Sequence, residues 1–467
     1  MPKETEERII NPLYILIWLG VSLWVGVNHE PFADEAQAYL IARDATVWDI
    51  LTTVSRTEGT PALWYLWLKF LMYCGFDYSK LYMASIFPNL LAVYLFISKA
   101  PFSKYIKYLF PLTYFILYQY NIVSRNYGLL FLMTTVAAIC YENRHRHPYR
   151  LILSLLLLGS VSSHAFILSC SIVVFWIYKE ADKEEGLKGY RIFIEKNLKA
   201  LSIFAIFIIC TIVYLYPESS NQYLYNYELL EGYRVRNILT LMSVGLISSS
   251  EIAPENLGYI YIGLGYFLLM MYMMSKKYRM SFGILFLPNL LFMLFVPYKP
   301  WHAGIIIMSG MFLFWQERRE ISRSVQIGVG ILLCVQIIWS CMGIIKDIRG
   351  KYSVTKDIHN FLQTENISAS ETKIAAFNGI SLYLYEKEGN FSYWDWRYNG
   401  FTQRITPKDI KQNRAIIINK EVYDKFNPRI KEIEAQGNYQ IKSFISDHFF
   451  ALQDMSKDET LYVLYRK

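Results

Sequence analysis

The chain has 467 residues, of which 54% are hydrophobic, 17% aromatic and only 18% charged, against roughly 25% charged in soluble domains. This excludes an ordinary soluble enzyme: apolar stretches near the ~20 residues that span hydrocarbon recur up to residue 345, so several helices cross a bilayer. The net charge of +8 sits in short basic clusters between those stretches, the pattern of cytoplasmic loops and not of a nucleic-acid surface.

Residues 1–8 are charged, and the apolar stretch Tyr14 to Val27 that follows has no small-residue cleavage site, which predicts a retained first helix and not a signal peptide. Five basic clusters are expected in the cytoplasm: Lys99, Lys104 and Lys107; Arg144 to Arg150; Lys179 to Lys199; Lys276, Lys277 and Arg279; and Arg318, Arg319 and Arg323. Placing them there predicts helices over 10–27, 81–98, 107–123, 127–141, 150–164, 166–178, 200–216, 257–274, 281–297, 303–316 and 324–345. That is about eleven spans, with the N-terminus cytoplasmic and the C-terminus outside.

The segment 61–76, PALWYLWLKFLMYCGF, would invert this topology if it spanned. It is expected as an interfacial helix on the outer surface, with Trp64, Tyr65, Trp67 and Tyr73 at headgroup level and Lys69 snorkelling; an ordinary short span is the alternative. Residues 216–237 read as an outer loop and 238–250 as a re-entrant or interfacial helix. Beyond residue 345 the pattern changes to an amphipathic helix over 352–364 and strands over 373–377, 414–419 and 461–465, which predicts a small extracytoplasmic α/β domain over 346–467 after a membrane domain over 1–345.

Three further patterns carry little. The sequons at Asn366 and Asn390 read as chance, and the six cysteines, all in or beside apolar segments with no CxxC, indicate neither a disulfide frame nor a metal site. The echo of Phe87-Pro88-Asn89-Leu90-Leu91 in Leu287-Pro288-Asn289-Leu290-Leu291 fits an inverted repeat, but two independently kinked helices explain it more simply.

With this topology the costly polar residues gather on the outer face. Asp34 and Glu35 follow the first helix, Arg56 and Glu58 precede the interfacial helix, and Ser124-Arg125-Asn126 fills a tight turn. His164 ends the fifth helix, and Lys299-Pro300-Trp301-His302 joins the ninth and tenth. This points to a site open to the outer leaflet rather than to the midplane.

The run DEAQAYLIARD at 34–44, followed by EGTPALWYLWLK at 58–69, resembles the first outer loop of GT-C glycosyltransferases. Nearest are the protein O-mannosyltransferase and aminoarabinose-transferase group, glycosyltransferase family 39 and its bacterial relatives. The turn Ser124-Arg125-Asn126-Tyr127 is similar to an Arg-Pro-Tyr segment of the bacterial members. Thr60 stands where the group has a His, and Ala62 where it has a second Pro, so no role of that His transfers.

The resemblance implies an α-helical polytopic membrane protein of GT-C type, with an outer juxtamembrane helix and a small C-terminal α/β domain, in the plasma (inner) membrane. It implies an enzyme that moves a sugar from a polyprenyl-phosphate donor to a hydroxyl of a glycan, lipid or protein acceptor, with inversion. One base suffices for that reaction. Asp34 is the candidate base; Glu35, about 100° away around a helix, is expected to orient it or hold the acceptor. Arg125 is the first choice for the leaving phosphate and Arg56 the second, since a guanidinium fork matches phosphate oxygens. His302 and His164 are candidates for binding phosphate or sugar hydroxyls, and Trp301 offers a flat face for a pyranose ring.

Each has a plainer reading: a surface helix start for Asp34-Glu35, a lipid anchor for Arg125, a solvated charge for Arg56, a satisfied helix end for His164 and an aromatic-belt residue for Trp301. No cofactor or metal is expected to be obligatory, although Mg²⁺ held weakly between carboxylates and phosphate fits the same residues. The competing functional class is a transporter or flippase of lipid-linked sugars. A membrane anchor presenting the outer domain is the third.

Overall fold

The computed structural model describes residues 3–181, 187–216, 265, 268–269, 272, 276–295, 300–317, 323–386, 391–394, 407–424, 430, 439–447, 449–450, 453–454 and 459–466. Helix α1 (Lys3–Asn28) leads into α2 (Ala33–Asp44), the short α3 (Ser55–Glu58) and α4 (Leu63–Tyr73). Then come α5 (Met83–Lys99), α6 (Leu130–Glu142), α7 (Pro148–Gly159), α8 (Ser163–Ala181) and α9 (Leu187–Leu215). The series closes with α10 (Lys276–Phe295), α11 (Gly304–Glu317) and α12 (Arg323–Arg349). Among the described residues four stretches, Ile9–Asn28, Tyr78–Lys99, Lys188–Leu215 and Arg323–Arg349, are long and apolar enough to cross a bilayer, as expected of a polytopic membrane protein. All but Tyr216 of the predicted loop over 216–237, the segment 238–250, Lys299, Arg318, Arg319, Asn390 and most of the predicted helix over 257–274 lie outside the described residues.

The expected single helix over 107–123 is broken. A short helix, Lys104–Leu109, tightens to a 3-10 turn over Phe110–Leu112, Thr113 is extended, and Tyr114–Gln119 forms a wide π-helical turn. Pro111 is the cause: it has no N–H to donate, and its ring disfavours helical backbone around it. The carbonyl of Pro111 is recovered by Trp18 Nε1 at 3.0 Å. The wide turn is fully buried, and the Tyr120 carbonyl just beyond it accepts from Asn89 Nδ2 at 2.7 Å. Asn289, the counterpart of Asn89 in the sequence echo, has no side-chain hydrogen bond among the described residues, so the two positions are not equivalent.

Helix α4 lies where the interfacial helix was expected, but with a different packing. Trp64 and Tyr65 are buried rather than set in an aromatic belt. Lys69 does not snorkel; its Nζ donates to the carbonyls of Ala42 (3.0 Å) and Ala45 (2.8 Å), completing the C-terminal end of α2. Eleven residues make a helix of roughly 16 Å, too short to span. Of its residues only Phe70 and Tyr73 are exposed.

After α12 the chain forms α13 (Thr355–Thr364) and strands β1 (Thr372–Ala375), β2 (Ala415–Asn419), β3 (Gln440–Phe444), β4 (Phe449–Phe450), β5 (Gln453–Asp454) and β6 (Leu461–Tyr465). One sheet has the order β1-β2-β6-β3, parallel between β1 and β2 and antiparallel elsewhere; β4 and β5 make a separate ribbon. Ile416, Ile417 and Ile418 of β2 are buried on both faces, as a central strand covered on two sides requires. Val354, Ile358 and Leu362 cover one face; Val422, Ile430 and Tyr439 cover the other. The predicted strands coincide with β1, β2 and β6. Strand β3, an edge strand carrying exposed Lys442 and Ser443, lacks the apolar signal.

Candidate functional site

Helix α1 ends with Asn28 Nδ2 donating to the Trp24 carbonyl at 2.8 Å, and the extended Phe32 caps the next helix. Glu35, at the third position of α2, reaches back to accept the Phe32 N–H at 3.1 Å, which is the acidic half of a capping box. Asp34 and Glu35 both complement the positive end of α2, yet adjacent residues diverge around the helix. Glu35 turns inward and is fully buried; Asp34 stays open, its side chain 23% exposed.

Inside, Glu35 joins a chain of charged groups. Its Oε1 accepts the Ser124 N–H at 2.6 Å and its Oε2 lies 3.1 Å from His29 Nε2. His29 Nδ1 lies 2.9 Å from Asp347 Oδ2 near the end of α12, and Tyr118 of the π turn donates to the same oxygen at 3.0 Å. Burial alone would lower the pKa of His29, but the carboxylates of Asp347 and Glu35 outweigh it and hold the imidazole well above its ordinary value. His29 thus sits between two carboxylates, with one ring nitrogen within hydrogen-bond reach of each.

Outside, Arg125 meets Asp34. Its Nη1 donates to the Asp34 carbonyl at 2.7 Å and lies 3.4 Å from the carboxylate Oδ2, with the Arg125 side chain 29% exposed. Burial would lower the guanidinium pKa, and the surrounding groups, Asp34 foremost with Tyr65, Tyr127 and Glu58, together outweigh it and raise it. The carbonyl bond is the only hydrogen bond of the Arg125 side chain among the described residues, so most of its five N–H donors remain available.

The turn that carries Arg125 continues into a row of rings. Tyr127 stacks on Tyr120 (centroids 5.0 Å, planes 17° apart) and lies 6.0 Å from His302, which is 4.4 Å from His164. The Tyr120 hydroxyl donates to the Trp301 carbonyl at 2.6 Å, and Ser163 Oγ to the Gly59 carbonyl at 2.8 Å. Buried His164 has no hydrogen-bond partner for Nε2 among the described residues. Glu58, at the end of α3, accepts from Gln37 Nε2 (3.0 and 3.1 Å) and from the Tyr393 hydroxyl (3.2 Å).

The structure thus brings Asp34 to Arg125, and sets His302, His164 and Trp301 beside the same turn through Tyr127 and Tyr120. Arg56 is half-buried on α3, two residues before Glu58. Glu35 faces away from Asp34, sealed from solvent, and touches Ser124 instead; it neither orients the Asp34 carboxylate by contact nor has an open side for an acceptor. Sequence reasoning missed His29, Asp347, Tyr118, Tyr127, Gln37 and Tyr393. Two of them left a signal: Tyr127 in the turn motif it shares with Arg125, and Asp347 as a carboxylate near the end of a long apolar helix. Among the described residues no group of three or more His, Cys, Asp and Glu gathers to hold a metal ion.

No family model matches the chain, and no curated protein matches it. Among solved structures it is similar to the crystal structure of ArnT from Cupriavidus metallidurans bound to undecaprenyl phosphate. The similarity covers 97% of each chain at 11% identity, with a TM-score of 0.43.

Proposed function

We propose that the chain is an integral membrane glycosyltransferase that moves a sugar from a polyprenyl-phosphate carrier to an acceptor hydroxyl at the outer face of the plasma membrane, with inversion. The observation that carries the reading is the Asp34–Arg125 pair: an open carboxylate and a cation, adjacent, at the first turn beyond the first membrane helix. The two charges suit the two ends of such a transfer. Asp34 accepts the proton of the attacking hydroxyl and its charge favours the electron-poor anomeric carbon; Arg125 compensates the charge that grows on the departing phosphate.

The arrangement supports a division of labour. Arg125 is anchored through the Asp34 carbonyl, at a distance typical of charge-assisted bonds, while its 3.4 Å approach to the carboxylate is longer than such a bond. The carboxylate therefore keeps lone pairs for a hydroxyl, and the guanidinium keeps donors for phosphate. His302, His164 and Trp301 lie on the ring row leading from Arg125 and are assigned to the sugar or phosphate. Glu58, held by Gln37 and Tyr393, lies on the same loop. Arg56 is the reserve cation. Glu35 is assigned an indirect part, through Ser124.

The N-terminus is placed in the cytoplasm and the α13–β6 region outside. No cofactor is assigned. A weakly held Mg²⁺ would show as activity lost to EDTA and restored by Mg²⁺.

The reading is tested by incubating the purified protein in detergent or nanodiscs with a panel of polyprenyl-phosphate sugars and following release of polyprenyl phosphate. Release from at least one donor supports it. A flippase of the same lipids would move the donor across proteoliposomes intact, without release.

A further inference from the structure

Glu35, His29 and Asp347 form a buried chain of two carboxyl groups and one imidazole, and the transfer chemistry uses none of them directly. Such a cluster costs desolvation that apolar side chains would avoid, so its retention calls for a use. Its geometry supplies one. Asp347 belongs to the last membrane helix, His29 to the end of the first, and Glu35 to α2; the far end of the chain is the 2.6 Å bond from Ser124 N–H to Glu35 Oε1. The next residue is Arg125.

We infer that His29 and Asp347 are positioning residues for the transfer site: with Glu35 they fix the Ser124–Arg125 turn, and so hold the Arg125 guanidinium against Asp34. This rests on the proposed role of the Asp34–Arg125 pair. The contacts run in one order from α12 to the turn. Asp347 takes hydrogen bonds from Tyr118 and His29, His29 and the Phe32 N–H share Glu35 Oε2, and Glu35 Oε1 is left to a single partner, the Ser124 N–H. A peptide held at one residue by a buried carboxylate has little freedom at the next. The Arg125 N–H also closes a tight turn onto the Val123 carbonyl at 2.9 Å. Loosening the Glu35 hold on Ser124 should therefore release the guanidinium, while the Phe32 N–H bond to Glu35 Oε2 keeps the first turn of α2, and with it Asp34, in place.

The test combines two readouts on the purified protein. In His29→Gln, amide hydrogen exchange over 124–126 should rise roughly tenfold, while exchange in α8 stays unchanged. Affinity for undecaprenyl phosphate in nanodiscs should fall roughly tenfold, and His29→Gln with Arg125→Ala should bind no more weakly than Arg125→Ala alone. Tyr118→Phe, which removes one donor to Asp347 and leaves all charges in place, should move both readouts in the same direction by less, and guards against a His29 variant that fails to fold. Unchanged exchange over 124–126 in both variants overturns the inference, as do additive losses in the double variant. If exchange rises but Arg125→Ala binds undecaprenyl phosphate as the parent does, the hold on the turn stands and the assigned function of the pair falls.

Discussion

Arg125 binds Asp34 by its backbone more closely than by its charge: Nη1 is 2.7 Å from the Asp34 carbonyl and 3.4 Å from its carboxylate. A guanidinium seated on a carbonyl at the start of a helix is held in place without being neutralised. That leaves a carboxylate and a cation side by side, each with capacity to spare. It is the relationship a transfer of sugar from phosphate to hydroxyl needs, and it is set by Glu35 and Ser124 beneath it.

Replacing Arg125 should separate donor from acceptor. Arg125→Ala is expected to raise KM for the polyprenyl-phosphate sugar by about tenfold or more, a loss on the order of 1.5–3 kcal/mol for a charge-assisted contact, with KM for the acceptor little changed. Arg125→Lys should recover only part, because an ammonium lacks the planar fork. Steady-state kinetics with each substrate varied in turn checks this; equal loss toward both substrates would argue against a phosphate contact.

Glu30 gives a prediction in pH. Its Oε1 accepts from the Lys356 N–H (2.6 Å), the Thr355 hydroxyl (3.2 Å) and the Tyr385 hydroxyl (3.3 Å), tying the first loop to the start of α13. Burial pushes its pKa from 4.5 up to about 7, with nearby Asp357 adding to the rise and the Lys356 and Thr355 hydrogen bonds opposing it. A carboxyl whose pKa is raised by folding contributes stability below its ordinary pKa and loses it as pH climbs through the folded value. The parent protein should therefore lose stability between about pH 4.5 and 7, whereas Glu30→Gln should not. Above pH 7 the variant should be the more stable by roughly 1–3 kcal/mol, and near pH 5 the two should match. Thermal unfolding across pH reads it; a variant destabilised equally at pH 5 and pH 8 would contradict the assignment.

Gly304 tests the ring row. A Cβ there would lie 2.2 Å from the Tyr120 hydroxyl oxygen and 2.5 Å from its Cζ, so Tyr120 would have to leave both the Trp301 carbonyl and its stack on Tyr127. Gly304→Ala should cost about 1–3 kcal/mol by overpacking and lower transfer at a given protein concentration. Gly20→Ala, with nothing within 4 Å of the added carbon, should do neither. Melting temperature and initial rate of the two variants check the contrast.

Much of the membrane part was legible because hydrocarbon imposes length and apolarity on every crossing helix: α1, α5 and α12 fall where apolar stretches predict them. Pro111 was visible, yet its effect was not, because a proline in an apolar run is compatible with a kink as well as with the 3-10 and π turns that follow it here. Lys69 misled for a similar reason. A lone lysine among aromatics suits a headgroup, and only the fold shows the carbonyls of Ala42 and Ala45 within its reach. In the site, Asp34 and Arg125 stood out as charges costly near a bilayer. Their buried support did not, since the partnership of His29 with Asp347 spans 318 positions of sequence, and no local pattern records it.

The most direct measurement is the release of polyprenyl phosphate by Asp34→Asn beside the parent protein, at matched amounts of folded material and with the donor the parent accepts. Asparagine keeps the shape and the carbonyl that seats Arg125 but cannot take a proton. Release reduced by at least about a hundredfold is expected, with donor binding retained. Release at the parent's rate would contradict Asp34 as the base.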